Sequence, residues 1–168
     1  MKAHPSNKNR GFTLIEILVV VLIVSIMSGI AVTQLPSFVQ SGDFDLESLR
    51  VKTLLDMARE EALVQASEFG FKPNDEGYAF YQFDEESQVW VEVLESPFHR
   101  RILPEDFFLD LQIAGQKLEL SDEKDPPPLL LLSSGEVSPF TLRIYQKNAY
   151  SKSMKSDGFG DIVWAVDP

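Results

Sequence analysis

No cysteine occurs in the chain, which excludes disulfides, thiolate metal sites and a thiol nucleophile. Histidine is almost as scarce. His4 lies in the N-terminal stretch, and His99 stands by itself in the polar loop segment "SPFHRRILPED". Positive charge is short as well, with 15 Lys and Arg against 26 Asp and Glu, a net −11. Lys2, Lys8 and Arg10 precede Gly11 in a stretch without acids, so residues 12–168 hold 12 cations against 26 acids, a net −14. A body that acidic repels phosphate backbones and argues against a nucleic-acid partner. It suits a domain outside the cytoplasm, although the missing cysteines leave the compartment open.

Charge is also nearly absent from one long run. Between Phe12 and Leu35 only Thr13, Glu16, Ser25, Ser28, Gly29, Thr33 and Gln34 are not hydrophobic. As a helix this stretch reaches roughly 36 Å, enough to cross a hydrocarbon core of about 30 Å. A soluble core helix seldom stays apolar on every face for so long. A cleaved secretory signal is the competing reading, but the run is long for one and "SGIAVTQLP" matches an A-x-A site poorly. Basic residues precede the run and none follows from Gly11 through Leu49, which predicts a retained single-pass helix with its N-terminus cytoplasmic.

Glu16 is the exception that needs a reason. A carboxylate at a membrane-helix centre costs about 2.5–3.5 kcal/mol, and less near the interface. Snorkelling toward the cytoplasmic headgroups is the plain explanation. The surrounding "RGFTLIE" supplies another, because it resembles the processing motif of type IV prepilins and pseudopilins: a short basic leader, Gly11, Phe12, and a glutamate at the fifth position after the glycine. The resemblance implies cleavage of the Gly11–Phe12 bond by a prepilin peptidase, methylation of the new Phe12 amine, and pairing of Glu16 with the amine of a neighbouring filament subunit. Two charges that are each costly in a low-dielectric setting would then compensate one another. Ser25, Gly29 and Thr33 recur at every fourth position, a spacing that can form a small-residue ridge for close helix packing.

After Pro36, "SFVQSGDFD" reads as a polar connector. Residues 45–69 then read as an amphipathic helix, with Leu54, Leu55, Ala58, Ala62, Ala66 and Phe69 at helical spacing and Gly70 as its stop. Beyond Pro73 the period changes to two. "YAFYQF" and "QVWVEVL" flank "DEES" as a hairpin. Residues 107–113, a short "LEL" after a turn at 114–117, "LLLLS", "FTLRIYQ" and "IVWAV" read as further strands, and "DEKDPPP" reads as a loop. The plan is α+β, a helix on an antiparallel sheet, with boundaries at 1–11 (leader), 12–35 (membrane and filament-core helix) and 36–168 (exported domain).

That order resembles the pilin fold. Within it, "AREEALVQASEFGF", "FHRRILPEDFFLDL" and "LLLLSSGEVSPFTLRI" resemble the GspH-type minor pseudopilin of type II secretion, including its inter-strand turn at Gly135-Glu136-Val137-Ser138-Pro139. The family implies assembly near the tip of a short periplasmic filament that helps to export folded proteins. Its implied partners are the major pseudopilin, other minor pseudopilins, the prepilin peptidase and methyltransferase, and an inner-membrane assembly platform. The rival readings are a minor pilin of a type IV or DNA-uptake pilus, and a membrane-anchored periplasmic enzyme or sensor.

Enzymatic chemistry has little to stand on. No G-x-S-x-G elbow is present, and no cofactor or catalytic residue is expected. Asp84, Glu85 and Glu86 read as turn residues, and Arg100-Arg101 as a surface pair. Asp157 and Asp161 in "SDGFGD" are the best calcium candidates, yet two acids fall short of a 6–8 oxygen shell.

Overall fold

The computed structural model describes residues 14–118, 125–147 and 149–165; the side chains of residues 27–42 lie outside that description. Two compact units divide the chain, Met1–Gly42 and Asp43–Pro168. One helix, α1 (Leu14–Gln65), is continuous through the polar stretch after Pro36 that reads as a connector. The correction has a local cause. Phe44 is 1% exposed, and Ser48 Oγ donates to its carbonyl at 2.7 Å, so the buried face begins inside the supposed connector. The helix continues despite helix propensity penalties of about 1 kcal/mol for Gly and 3 for Pro.

The helix also stops earlier than the sequence predicts. Ala66, not Gly70, takes the left-handed conformation (φ 51°), and Ser67 N–H reaches back to Ala62 C=O at 3.2 Å, the pattern of a Schellman cap. Gly70 instead lies in β1 (Phe69–Pro73), every residue of which is buried. Its inner face sends Phe69 and Phe71 into the core. The outer face is covered by the proline segment: a Cβ on Gly70 would come within 2.2 Å of Pro127 Cγ, and Lys72 Nζ donates to Asp125 C=O at 2.8 Å. A strand buried on both faces loses its alternation, so period-two reading misses it.

The unit from Asp43 onward carries two five-stranded antiparallel sheets where the sequence suggests one. In the first, β2 (Gly77–Asp84) lies between β1 and β3 (Val89–Glu92), while β4 (Arg101–Ile102) pairs with the start of β2 and β7 (Leu129–Leu131) closes the far side of β1. The expected hairpin is present, with Phe83 opposite Trp90. Gly77 is where β4 comes closest; a Cβ there would lie 2.0 Å from Arg101 C=O. The second sheet runs β10 (Val163–Trp164), β9 (Ser151–Ser156), β8 (Phe140–Gln146), β5 (Phe107–Ile113), β6 (Gln116–Lys117). Strand β6 occupies the expected turn, and the "LEL" strand falls largely on residues 119–120, outside the described residues.

One core joins these parts. Val51, Leu54, Leu55, Ala58 and Ala62 of α1 pack with Phe71, Tyr78 and Phe80 of the first sheet and Leu111, Leu142, Ile144 and Met154 of the second. In β8 the buried residues Phe140, Leu142 and Ile144 alternate with less buried ones, the signature of a sheet covered on one face.

Candidate functional site

The residues that the sequence singles out divide between the two units. Gly11 and Phe12 lie outside the described residues. Glu16 occupies the first turn of α1, and the described side chains from Leu14 to Ile26 are all exposed. Ser25 Oγ donates to Val21 C=O at 2.7 Å, so the hydroxyl is satisfied within its own helix and adds no polar cost to a packing face. Gly29 and Thr33 are helical in backbone, and their side chains are outside the description. Among the described residues no helix is long and apolar enough to cross a membrane; within the expected 12–35 span, side chains are described for residues 14–26 alone.

In the second unit α1 presents two unlike faces. Opposite the buried Val51, Leu55 and Ala58, the helix exposes Leu46, Leu49, Met57, Leu63 and Val64, the last at 81%. A solvated helix normally fills that outer stripe with charged and polar residues. Helical periodicity locates the inner face from sequence but cannot say that Leu46, Leu49, Met57 and Val64 are exposed among the described residues.

At the C-terminal end of α1 two loops meet the helix. The Gly135–Pro139 turn carries the chain from β7 in one sheet to β8 in the other. Gly135 (φ 87°) lies against Leu63, and Ser138 bonds both ways with Leu130, its N–H donating to Leu130 C=O at 2.9 Å and its Oγ accepting from Leu130 N–H at 3.0 Å. Arg59 donates to Gly135 C=O at 3.3 Å and to Asp161 Oδ1 at 3.1 Å. One guanidinium thus ties the inter-sheet turn and the 157–161 loop to the helix. Its partners are 76 and 102 residues away in sequence, so nothing in the local sequence pattern signals the knot.

The polar residues considered for chemistry are occupied structurally. Asp84 accepts from Ser87 Oγ at 2.8 Å and from Glu86 N–H at 2.9 Å, bonds that hold its carboxyl below its ordinary value and close the hairpin turn. Asp157 Oδ1 accepts from Phe159 N–H at 3.1 Å, and Asp161 pairs with Arg59. Among the described residues no group of three or more His, Asp or Glu side chains is placed to hold a metal ion. His99 is half-buried in the segment leading to β4, where Phe98 and Leu103 point into the core, so that segment is less polar than its sequence suggests. A groove of 540 Å³ opens between the sheets, lined by Phe107, Leu111, Pro128 and Tyr145 among others.

Arg100 and Glu92 form a two-pronged ion pair, Nε to Oε1 at 2.9 Å and a terminal nitrogen to Oε2 at 2.7 Å. Hydrogen bonding to Arg100 lowers the Glu92 pKa against an opposing effect of burial. A carboxyl depressed in the folded state stabilises it above the unfolded pKa and loses that contribution as pH falls through the folded value. Glu92→Gln should therefore cost about 0.5 kcal/mol at pH 7, a value kept small by solvent screening. It should cost nothing in acid below both pKa values, as comparison of denaturation midpoints at the two pH values will show.

Residues 6–32 match the prokaryotic N-terminal methylation motif. The chain is 36% identical over 162 residues to the type II secretion system protein H of Pseudomonas aeruginosa, covering 90% of this chain and 92% of that protein. It is 29% identical to the protein of the same name from Pectobacterium carotovorum, with 96% and 95% covered. Among solved structures, the minor pseudopilin EpsH from the type 2 secretion system of Vibrio cholerae matches with a TM-score of 0.62 at 23% identity, over 73% of this chain and 94% of that one. E. coli GspH matches with a TM-score of 0.53 at 16% identity, over 70% and 84%. Both structures support the pilin-like α+β fold. The chain belongs to the type II secretion system protein H family, the minor pseudopilins.

Proposed function

We propose that this minor pseudopilin is made with an 11-residue leader, cut at Gly11–Phe12 by prepilin peptidase, methylated on Phe12, and assembled into a pseudopilus through Glu16. The observation that carries this reading is the methylation motif over residues 6–32, because it spans the end of the leader, the cut bond and the glutamate together. Glycine at the cut lets a peptidase approach without a side chain in the way. Cutting ahead of the apolar run leaves residues 12–35 attached as an inner-membrane helix, with residues 36–168 in the periplasm. Ser25, Gly29 and Thr33 provide a close-packing ridge among neighbouring helices, and Leu46, Leu49, Met57 and Val64 give the globular unit an exposed apolar face of its own.

The work is mechanical, with no catalytic residue and no cofactor. Subunits related by an open helical symmetry add at the inner-membrane platform, and the growing filament helps folded proteins cross the outer membrane. Near the tip, this subunit connects other minor pseudopilins to the major one. Mass spectrometry of the N-terminus, with and without prepilin peptidase, tests the reading. The expected result is a methylated Phe12 terminus and a loss of about 1 kDa, the mass of a short leader; a retained Met1 terminus overturns it.

A further inference from the structure

The loop 157–161 has a property that folding of the domain does not require. Its ends are fixed: Ser156 and Ile162 are buried, Val137 N–H donates to Gly158 C=O at 3.1 Å, and Arg59 holds Asp161. Gly158 and Gly160 both take positive φ, 105° and 99°, a conformation that glycine adopts without strain. Between them Phe159 projects into solvent, 73% exposed. Beside it a groove of 360 Å³ is lined by Phe159, Val163 and Lys155, and Val163 belongs to β10, the open edge of the second sheet. An aromatic ring held ready on a fixed turn, next to a strand edge and a groove that mixes Phe140 and Val163 with polar side chains, has the anatomy of a binding anchor, because little ordering entropy remains to be lost on docking.

The charges around it decide what docks. Asp157 and Asp161 flank the ring and are exposed. Arg59 pairs with Asp161 and Lys155 lines the groove, so Asp157 is the acid beside the ring without a cation paired to it in the salt bridges among the described residues. The body around it is acidic, with a net −14 over residues 12–168. Anionic headgroups would be repelled at this surface, and a second copy of the same acidic domain would meet like charge. We propose that Phe159 inserts into an apolar pocket with a basic rim on a different subunit of the pseudopilus, while the groove beside Val163 receives a side chain of that subunit. The inference rests on the assembly reading above and assigns it a heteromeric contact surface in the globular unit.

The test uses the full chain in cells producing all the pseudopilins, with the photo-crosslinker Val163→p-benzoylphenylalanine and N-terminal mass measured on the same samples. The expected result is an adduct with another pseudopilin, identified by mass spectrometry. Phe159→Ser should lower its yield at least about tenfold, as loss of a hot-spot aromatic does. Phe159→Trp should restore it, and the melting temperature should not move. A processed chain that gives no adduct, one only with its own copies, one with a protein outside the pseudopilus, or one indifferent to Phe159→Ser overturns this inference alone. An unprocessed N-terminus overturns the assembly reading and this inference with it.

Discussion

Glu16→Leu is expected to leave leader removal intact and to lower incorporation into the pseudopilus by about two orders of magnitude or more. Leucine in place of a carboxylate removes a cost of insertion, about 2.5–3.5 kcal/mol at a helix centre and less near its end. The variant therefore enters the membrane at least as readily, and a deficit in assembly cannot be traced to failed insertion. The loss arises at the contact. Without Glu16 the methylated amine of the neighbouring subunit would be desolvated with no countercharge, and removing one partner of a buried pair costs about 3–5 kcal/mol. At about 1.4 kcal/mol per tenfold, that is two to three and a half decades. Glu16→Asp keeps the charge but draws it back by one methylene, so it should fall between the two. Crosslinking to other pseudopilins and exoprotein release are the readouts. Unchanged crosslinking in Glu16→Leu would return Glu16 to the plain role of a snorkelling carboxylate.

The parts of the molecule legible from sequence are those governed by local rules. Phe107–Ile113 and Phe140–Gln146 alternate strongly and are strands at the expected bounds. The hairpin around Asp84 follows from its turn residues. The leader and Glu16 are legible for a different reason, since cleavage chemistry acts on a short linear motif. What was hidden depends on distant partners. Strand β1 is buried on both faces because the proline segment, more than 50 residues later, covers Gly70 and Lys72. Strand β9, "SKSMKS", carries one large apolar residue, Met154, and owes its place to pairing with β8. The second sheet was invisible because a list of strands does not say which edges join; the turn at Gly135–Pro139 leaves one sheet for the other. The Arg59 knot is hidden in the same way.

Phe71→Ala is expected to cost about 3–5 kcal/mol, the range for truncating a buried phenylalanine, and so to consume much of the roughly 5–15 kcal/mol that holds an ordinary domain folded. The site cannot collapse easily. Phe71 is fully buried at the middle of β1, paired with Phe80 on one side and Leu129 on the other. Its ring lies 5.3 Å from that of Phe80 and 5.4 Å from that of Tyr78. Strands on both sides fix the backbone, so the void persists and the aromatic contacts are lost with it. At about 2–8 °C per kcal/mol for domains of this general size, the melting temperature should fall by at least 6 °C. Val64→Ala on the exposed stripe should stay within about 0.5 kcal/mol, although both remove apolar atoms. The comparison separates two uses of hydrophobicity in one chain, since Phe71 serves folding and Val64 faces outward. Thermal unfolding of the full-length protein in detergent reads both. A Phe71→Ala variant that melts within a degree or two of the parent would mean that the helix and the two sheets do not share a single core.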